Sequence, residues 1–233
     1  MHYKLRVKPK SPVIIEGFPG FGLVGTIATE FLIKQLNAEK IGYIRMAEVP
    51  PVIAVHDGNA IEPLGIFYAK KQNMVILHAL ANVQSYEWEI SDILVKIAKE
   101  LKAKEIISLE GVGSQGTTKI KDSKAYFVTN GKKFNSKRGE PLTEGIIVGV
   151  TGALMLRDDV KTMSIFAETH STLPDSRAAA QILSVLDEYL KLGLDYKPLL
   201  KKAEQFEEKL KGIMNKTQEV STQVDKKRQS YFG

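Results

Sequence analysis

The sequence contains no cysteine and little histidine. Among its 233 residues, Cys is absent and His occurs four times, at positions 2, 56, 78 and 170. Without Cys there is no disulfide, no thiol nucleophile and no thiolate metal ligand. The histidines are also too scattered to match the short spacings of zinc-binding motifs. We therefore expect no metal centre, and no motif indicates another cofactor.

Long apolar runs and a secretory signal are missing as well. Hydrophobic residues make up 43% of the chain and charged residues 26%, which is ordinary for a globular protein. No run approaches the roughly 18 apolar residues that a membrane span requires. The basic residues near the start are not followed by the apolar region of a signal peptide. These absences predict a cytoplasmic protein with no membrane attachment.

Positive charge is in excess, yet no nucleic-acid signature accompanies it. The formal net charge is +6, and much of the excess comes from scattered lysines and the C-terminal segment. The sequence has neither an aromatic RNA-binding motif nor an arginine-rich stripe. We interpret the charge as a solvated surface and do not expect nucleic-acid binding.

Glycine, by contrast, is concentrated in one stretch near the start of the chain. The apolar residues 13–15 are followed by four glycines within nine positions, at Gly17, Gly20, Gly22 and Gly25. No strand or helix interior tolerates that density. From Leu23 onward, apolar residues recur at helical spacing. This pattern predicts a buried strand, a tight turn that needs glycine for geometry and close packing, and a helix.

A nucleotide-binding interpretation of the same turn remains open. Gly20, Gly22 and Gly25 match the G-x-G-x-x-G fingerprint, in which backbone amides hold a pyrophosphate. Glu48 lies near the distance expected for a ribose-binding acid. Pro19 and the two phenylalanines of the turn, however, place apolar bulk where an anion would sit. We therefore favour the structural turn over the phosphate cradle.

Strands and helices alternate along residues 1–196. Apolar runs at residues 74–77, 106–109 and 163–167 are typical of buried strands. An apolar stripe from Ile90 to Leu101 predicts a helix that Ser85 could cap, and residues 146–156 are predicted to be helical despite their glycines. Such alternation predicts an α/β domain with a mainly parallel central sheet and helices on both faces.

One loop near the end of this domain collects polar residues of the kinds used in catalysis. Glu168, His170, Asp175 and Arg177 lie close together after the predicted strand at residues 163–167. They could supply an acid, a base and an anion clamp beside the second glycine-rich loop at residues 111–116. The simpler interpretation is that Asp175 caps a helix. Because G-x-S-x-G and P-loop motifs are also absent, we predict no catalytic residues.

The C-terminal segment has a regular apolar seam. Apolar residues alternate spacings of four and three, and lysine, glutamate and glutamine dominate between them. The seam includes Leu199, Phe206, Leu210, Ile213, Val220 and Val224. This is an a/d heptad pattern, which predicts a helix over residues 197–228 that associates between subunits. Docking of the helix on its own domain is the alternative. Residues 229–233 are predicted to be a mobile end.

Three features together resemble a known family. These are the glycine-rich stretch at residues 17–25 with its embedded Phe-Pro-Gly, the run at residues 167–170 followed by Asp175, and the leucine-rich helix ending at Gly193. They resemble the proteasome assembly chaperone family, second type, in its archaeal branch. The resemblance covers roughly residues 10–197. It implies a three-layer fold similar to that of nucleoside phosphorylases, and a homo-oligomeric, non-enzymatic chaperone.

The resemblance also gives the C-terminus a role. In proteasome activators and archaeal relatives of this family, a terminal hydrophobic-Tyr-any tripeptide inserts between subunits of the proteasome α-ring. Here the last residues are Tyr231, Phe232 and Gly233, so phenylalanine replaces the penultimate tyrosine and one hydroxyl hydrogen bond is lost. The resemblance therefore implies that these three residues bind the α-ring or a similar ring. A nucleoside or nucleotide hydrolase or transferase, with Glu168 and Asp175 as acid-base residues, is the alternative.

Overall fold

A computed structural model describes residues 1–46, 53–56, 59–113, 124–131, 133–169, 173–201, 205 and 212. No helix within these residues is long and apolar enough to cross a membrane. The strands are β1 (His2–Leu5), β2 (Val13–Gly17), β3 (Glu39–Arg45), β4 (Ala54–His56), β5 (Asn59–Ile61), β6 (Leu64–Ala69), β7 (Met74–Ala79), β8 (Glu105–Gly113), β9 (Ala125–Thr129), β10 (Glu140–Pro141) and β11 (Thr162–Thr169). The α-helices are α1 (Val24–Gln35), α2 (Glu87–Leu101), α3 (Gly149–Met155), α4 (Ser176–Leu190) and α5 (Lys197–Lys201).

The central sheet is mixed. Its nine strands are ordered β1-β3-β6-β7-β2-β8-β11-β9-β10. The four central strands β7, β2, β8 and β11 are parallel, whereas β1, β3 and β6 continue the sheet in antiparallel pairs, and β9 is antiparallel to β11. The prediction of a mainly parallel sheet therefore holds for the centre only. The connection from β6 to β7 spans just residues 70–73, which is too short for the crossover that a parallel pair needs.

Helices cover both faces of this sheet, and each face has its own buried cluster. Ile15 and Ile107 point to the face covered by α1 and α4. Their neighbours Ile14 and Ile106 point to the face on which α2 and α3 pack. We call these the α1/α4 face and the α2/α3 face. Because side chains alternate along a strand, β2, β7 and β8 each contribute to both clusters.

The start of α4 agrees with the prediction from the sequence, whereas the starts of α2 and α3 differ from it. Asp175 caps α4, because its Oδ1 accepts hydrogen bonds from the backbone N–H groups of Arg177 and Ala178. Ser85 does not cap α2. It has a positive φ of 74°, and the N-cap position is Tyr86, whose side chain does not cap the helix. The helix expected over residues 146–156 is only Gly149–Met155, because the backbone of Val148 is extended, with φ of −119° and ψ of 176°.

Candidate functional site

The glycine-rich turn joins three elements at the carboxyl end of the central strands. A Cβ atom on Gly25 would lie 2.1 Å from the carbonyl oxygen of Leu109 in β8, and one on Gly17 would lie 2.2 Å from the carbonyl oxygen of Gly25. Gly22 has a φ of 60°, and a Cβ there would lie 2.7 Å from Thr169 Oγ1. At these three positions backbone packs directly on its neighbours, so no side chain fits.

Gly20 differs from the other three glycines of the turn. Its φ is −147°, and the nearest atom to an added Cβ would be Glu110 Oε1 at 3.6 Å, an ordinary contact distance. Space and backbone conformation therefore do not require glycine at this position. The turn is therefore close-packed at Gly17, Gly22 and Gly25 and open at Gly20.

The surroundings of the turn are unsuited to a phosphate. Glu110 lies against Gly20, and the Cβ of Asp175 would be 3.2 Å from a Cβ on Gly22. The backbone N–H of Asp175 also donates to the Gly22 carbonyl at 2.8 Å. Two carboxylates thus flank the glycines that a pyrophosphate would approach, and like charges repel. The proposed ribose acid, Glu48, lies outside the described residues. The nucleotide interpretation is not favoured.

Two glutamates lie at the carboxyl end of the central strands, Glu16 buried and Glu110 half-buried. Glu16 in β2 is 1% exposed, and Glu110 in β8 accepts a hydrogen bond from the Thr151 side chain of α3. Neither Glu16 Oε1 nor Glu110 Oε2 has a hydrogen-bond partner among the described residues. Burial raises the pKa of Glu16 to about 8, and the Glu110 charge adds to this effect, while the Ser108 hydroxyl opposes it. Burial likewise raises the pKa of Glu110 to about 7.

The sequence contained a signal for these two residues that our prediction did not use. Glu16 and Glu110 each follow an apolar strand run directly and each precede a glycine. A charged residue in that position is still within the strand and is carried inward by the alternation of side chains. Glu16 pairs with Ser108 across β2 and β8, and Ser108 pairs with Ser164 across β8 and β11. A polar row therefore crosses three strands on the α2/α3 face.

A carboxylate, an imidazole and a hydroxyl are aligned on the opposite face. His78 Nδ1 lies 2.9 Å from Thr29 Oγ1, and His78 Nε2 lies 3.4 Å from Glu30 Oε2. Burial lowers the pKa of His78, although the Glu30 charge raises it. The order of groups is that of a nucleophile relay. Thr29 is fully buried, however, and its Oγ1 also donates within helix α1, so no substrate reaches it.

The residues proposed for an enzyme do not converge on one point. Glu168 accepts a hydrogen bond from the Tyr126 hydroxyl at 2.8 Å. Asp175 is engaged in the cap of α4 and accepts a further bond from Thr169 at 2.9 Å. Arg177 is exposed, and His170 lies outside the described residues. Within the described part of the chain, no group of three or more His, Asp or Glu residues could hold a metal ion.

The tail is described only at its start. Leu199 in α5 is 4% exposed and belongs to the cluster of the α1/α4 face, so it packs on its own domain rather than projecting toward a partner. The other seam residues, Phe206, Leu210, Ile213, Val220 and Val224, lie outside the described residues. So do the terminal residues Tyr231, Phe232 and Gly233.

Large apolar side chains are exposed where the chain leaves the carboxyl ends of the strands. They follow β2, β7 and β11 or precede α3, and each is at least half exposed. They are Phe21 (50%), Trp88 (56%), Val148 (65%) and Leu173 (54%). Exposed apolar groups of this size are typical of surfaces that contact other proteins. Backbone packing and enclosed carboxyl groups fill the same edge, so the geometry suits a binding surface more than a small-molecule pocket.

Several solved structures share the fold of this chain. The structure is similar to that of Pyrococcus furiosus PbaA, described as an archaeal homolog of proteasome-assembly chaperone, with 30% sequence identity, a TM-score of 0.78, and coverage of 94% of this chain and 98% of that chain. It shares the fold of Pyrococcus furiosus PbaB, an archaeal proteasome activator, at 22% identity, a TM-score of 0.73 and coverage of 91% and 98%.

Sequence comparison gives the family. An uncharacterized protein of Methanocaldococcus jannaschii is 28% identical over 216 residues, which are 90% of this chain and 88% of that protein. The PAC2 family matches residues 14–214, and the chain belongs to this family. The predicted resemblance to proteasome assembly chaperones of the second type is thereby confirmed.

Proposed function

We propose that this chain is a cytoplasmic, homo-oligomeric assembly chaperone that binds the proteasome α-ring or a similar ring of subunits. The observation that carries the proposal is the similarity to PbaA, which extends over nearly the whole of both chains. The exposed apolar side chains at the carboxyl edge of the sheet support it, because they offer contact area for a protein partner.

The same edge supports a function without catalysis. Four polar residues were first considered for an enzyme. Asp175 caps a helix, Glu168 accepts a hydrogen bond from Tyr126, and Arg177 is exposed. His170 lies outside the described residues. The glycines that would hold a phosphate face carboxylates. The resemblance of the three-layer arrangement to nucleoside phosphorylases is therefore, in our proposal, a relation of fold and not of activity.

In this proposal, the C-terminal helix holds the subunits of the oligomer together. Helix α5 begins at Lys197, directly after the α/β domain of residues 1–196. The burial of Leu199 anchors the start of the helix to that domain. The seam from Phe206 to Val224 then offers a narrow apolar stripe that needs a facing apolar surface, and an equivalent helix of another subunit supplies one.

Residues 229–233 supply the contact with the ring. Tyr231 and Phe232 offer two aromatic side chains, and the chain end offers a carboxylate for a basic group of the ring. Each contact by itself is weak. An oligomer presents several copies, and simultaneous engagement can raise the apparent affinity by about 10²–10⁴.

Surface plasmon resonance on immobilised, assembled α-rings tests the proposal. We expect the full chain to bind, and deletion of residues 231–233 to abolish or sharply weaken binding while the fold and subunit number remain unchanged. Phe232→Tyr should bind more tightly, because it restores the hydroxyl of the tripeptide motif. An extension of several residues beyond Gly233 should bind almost as poorly as the deletion. Equal responses from the full chain, the deletion and Phe232→Tyr would remove the terminus from the interaction.

A further inference from the structure

The chain has a single tryptophan, and it is exposed. Trp88 is the second residue of α2, is 56% exposed and lies between Glu87 and Glu89. Tryptophan carries a large apolar area, and it is enriched among the residues that dominate protein interfaces. The first turn of α2 thus presents an apolar knob with a carboxylate on either side.

A cavity of about 340 Å³ lies at the other end of the same helix. Its apolar lining includes Ala98, Ala103 and Val160, and its charged lining includes Lys102, Lys104 and Lys161. This volume is at the small end of the roughly 300–1,000 Å³ range of ligand pockets, so it suits one bulky side chain. Lysine stems can line an apolar hole while their ammonium groups remain in water.

The rim of this cavity keeps an excess of positive charge. Lys99 is paired with Asp159 at 2.7 Å, and Glu105 accepts a hydrogen bond from the Tyr189 hydroxyl at 2.8 Å. The two acidic residues of the lining are therefore engaged. Lys102, Lys104 and Lys161 form no salt bridge with any of the described residues, so the rim attracts carboxylates.

We propose that Trp88 of one subunit inserts into the lysine-rimmed cavity of a second copy of this chain. Glu87 and Glu89 then face Lys102, Lys104 and Lys161 across the interface. The two surfaces are complementary in shape, since one has a knob and the other a hole of matching size. They are also complementary in charge, which fixes the register of the contact.

This contact rests on the proposed homo-oligomer and gives it a geometry. The knob and the cavity lie at opposite ends of a helix of 15 residues, about 22 Å apart at 1.5 Å per residue. Two copies that each place Trp88 in the other's cavity form a closed two-fold dimer. A subunit that offers Trp88 to one neighbour and its cavity to another builds a ring when the rotation between neighbours closes, and an open filament when it does not.

Cross-linking of the full chain tests the contact. Because the chain has no native cysteine, a thiol-specific reagent joins only the introduced ones. One variant carries Glu89→Cys and another carries Lys104→Cys, and both keep Trp88. The two variants are mixed in equal amounts and treated with a short bis-maleimide reagent. Lys96→Cys, an exposed position midway along α2, replaces Lys104→Cys in the matched control. The subunit number is measured in parallel by light scattering.

We expect cross-linked dimers from the mixture of Glu89→Cys and Lys104→Cys, and none from either variant alone or from the Lys96→Cys control. Adding Trp88→Ala should abolish the dimers and weaken this contact at least about 30-fold in dissociation constant. Cross-linking of Glu89→Cys to itself would place the Trp88 regions of two subunits beside each other, rather than Trp88 beside the cavity, and would overturn the proposal. An oligomer without cross-links would place the interface elsewhere and leave the proposed homo-oligomer intact. A monomer without cross-links would overturn both.

Discussion

The two faces of the central sheet differ in whether their buried polar side chains have hydrogen-bond partners. On the α1/α4 face, the buried side chains of Thr26, Thr29 and His78 have hydrogen-bond partners. On the α2/α3 face, Glu16 Oε1 and Glu110 Oε2 have none among the described residues. A buried polar group without a partner costs about 1–3 kcal/mol. These two carboxyl groups therefore reduce what the α2/α3 face contributes to stability.

The two faces also oppose each other in their response to pH. His78 resists protonation because it is buried, so the α1/α4 face loses stability in acid. Desolvation raises the pKa of Glu16 and Glu110, so the α2/α3 face loses stability as pH rises above the ordinary glutamate pKa of 4.5. The contrast teaches that the two faces contribute to opposite limbs of the pH profile of unfolding.

The largest effect is expected on the α1/α4 side of the glycine turn. Gly25→Ala places a Cβ 2.1 Å from the Leu109 carbonyl oxygen, and backbone cannot move away without separating α1 from β8. We expect a loss of more than about 4 kcal/mol in the free energy of unfolding, or no folded protein. Gly20→Ala is the control and should cost less than about 1 kcal/mol, because its space is open. Urea denaturation measures both, and equal stabilities would show that the turn is not close-packed.

A smaller effect of opposite sign is expected on the α2/α3 face. The ordinary pKa of a glutamate is 4.5, whereas folded Glu16 keeps its proton to about pH 8. Between these values the folded state holds more protons, so the free energy of unfolding falls as pH rises. Glu16→Gln removes this titration and should stabilise the protein at pH 9 by on the order of 1–3 kcal/mol.

The measurement for Glu16→Gln is thermal unfolding from pH 5 to pH 9. The variant should have a flatter profile than the wild type, with a gain that builds up from about pH 5 to about pH 8 and stays constant above that. Glu144→Gln, at an exposed position, is the matched control and should leave the profile unchanged. A profile of Glu16→Gln parallel to that of the wild type would mean that the carboxyl group is not buried in its neutral form.

The smallest effect concerns the acid limb. The ordinary pKa of histidine is 6.5, and burial lowers the pKa of His78. Below pH 6.5 the unfolded state takes up a proton that the folded state resists, so stability falls with falling pH. His78→Gln should make the loss of stability between pH 7 and pH 5 smaller than in the wild type. The exposed His2→Gln serves as the control, and identical slopes for both variants would remove His78 from the acid limb.

The sequence predicted the parts of the fold that local patterns determine. The apolar stripe of α2, the cap at Asp175 and the strand-turn-helix unit around Gly25 each follow from residues within one or two turns of each other. The antiparallel flank of the sheet was not predicted. Strand pairing depends on contacts between distant segments, and a single apolar run is compatible with either direction.

The candidate site was less predictable than the fold. From the sequence alone, Glu16 and Glu110 would be expected to be solvent-exposed, because glutamate is almost never fully buried unless paired. Their burial depends on α3 and on the row of paired strands, which no local pattern reveals. The seam beyond Leu199 and the terminal tripeptide stay predictions, since those residues lie outside the described ones.

The position of β11 has a consequence for the order in which the molecule assembles. This strand is the last of the sheet in the sequence, yet it lies between β8 and β9. During synthesis, β8 and β9 therefore have exposed edges on facing sides until Thr169 has left the ribosome. Unpaired edges invite association with other chains, and pairings between distant segments form slowly. A protein whose family relatives assist assembly thus has a vulnerable interval in its own synthesis, and the rate at which β11 inserts decides how long it lasts.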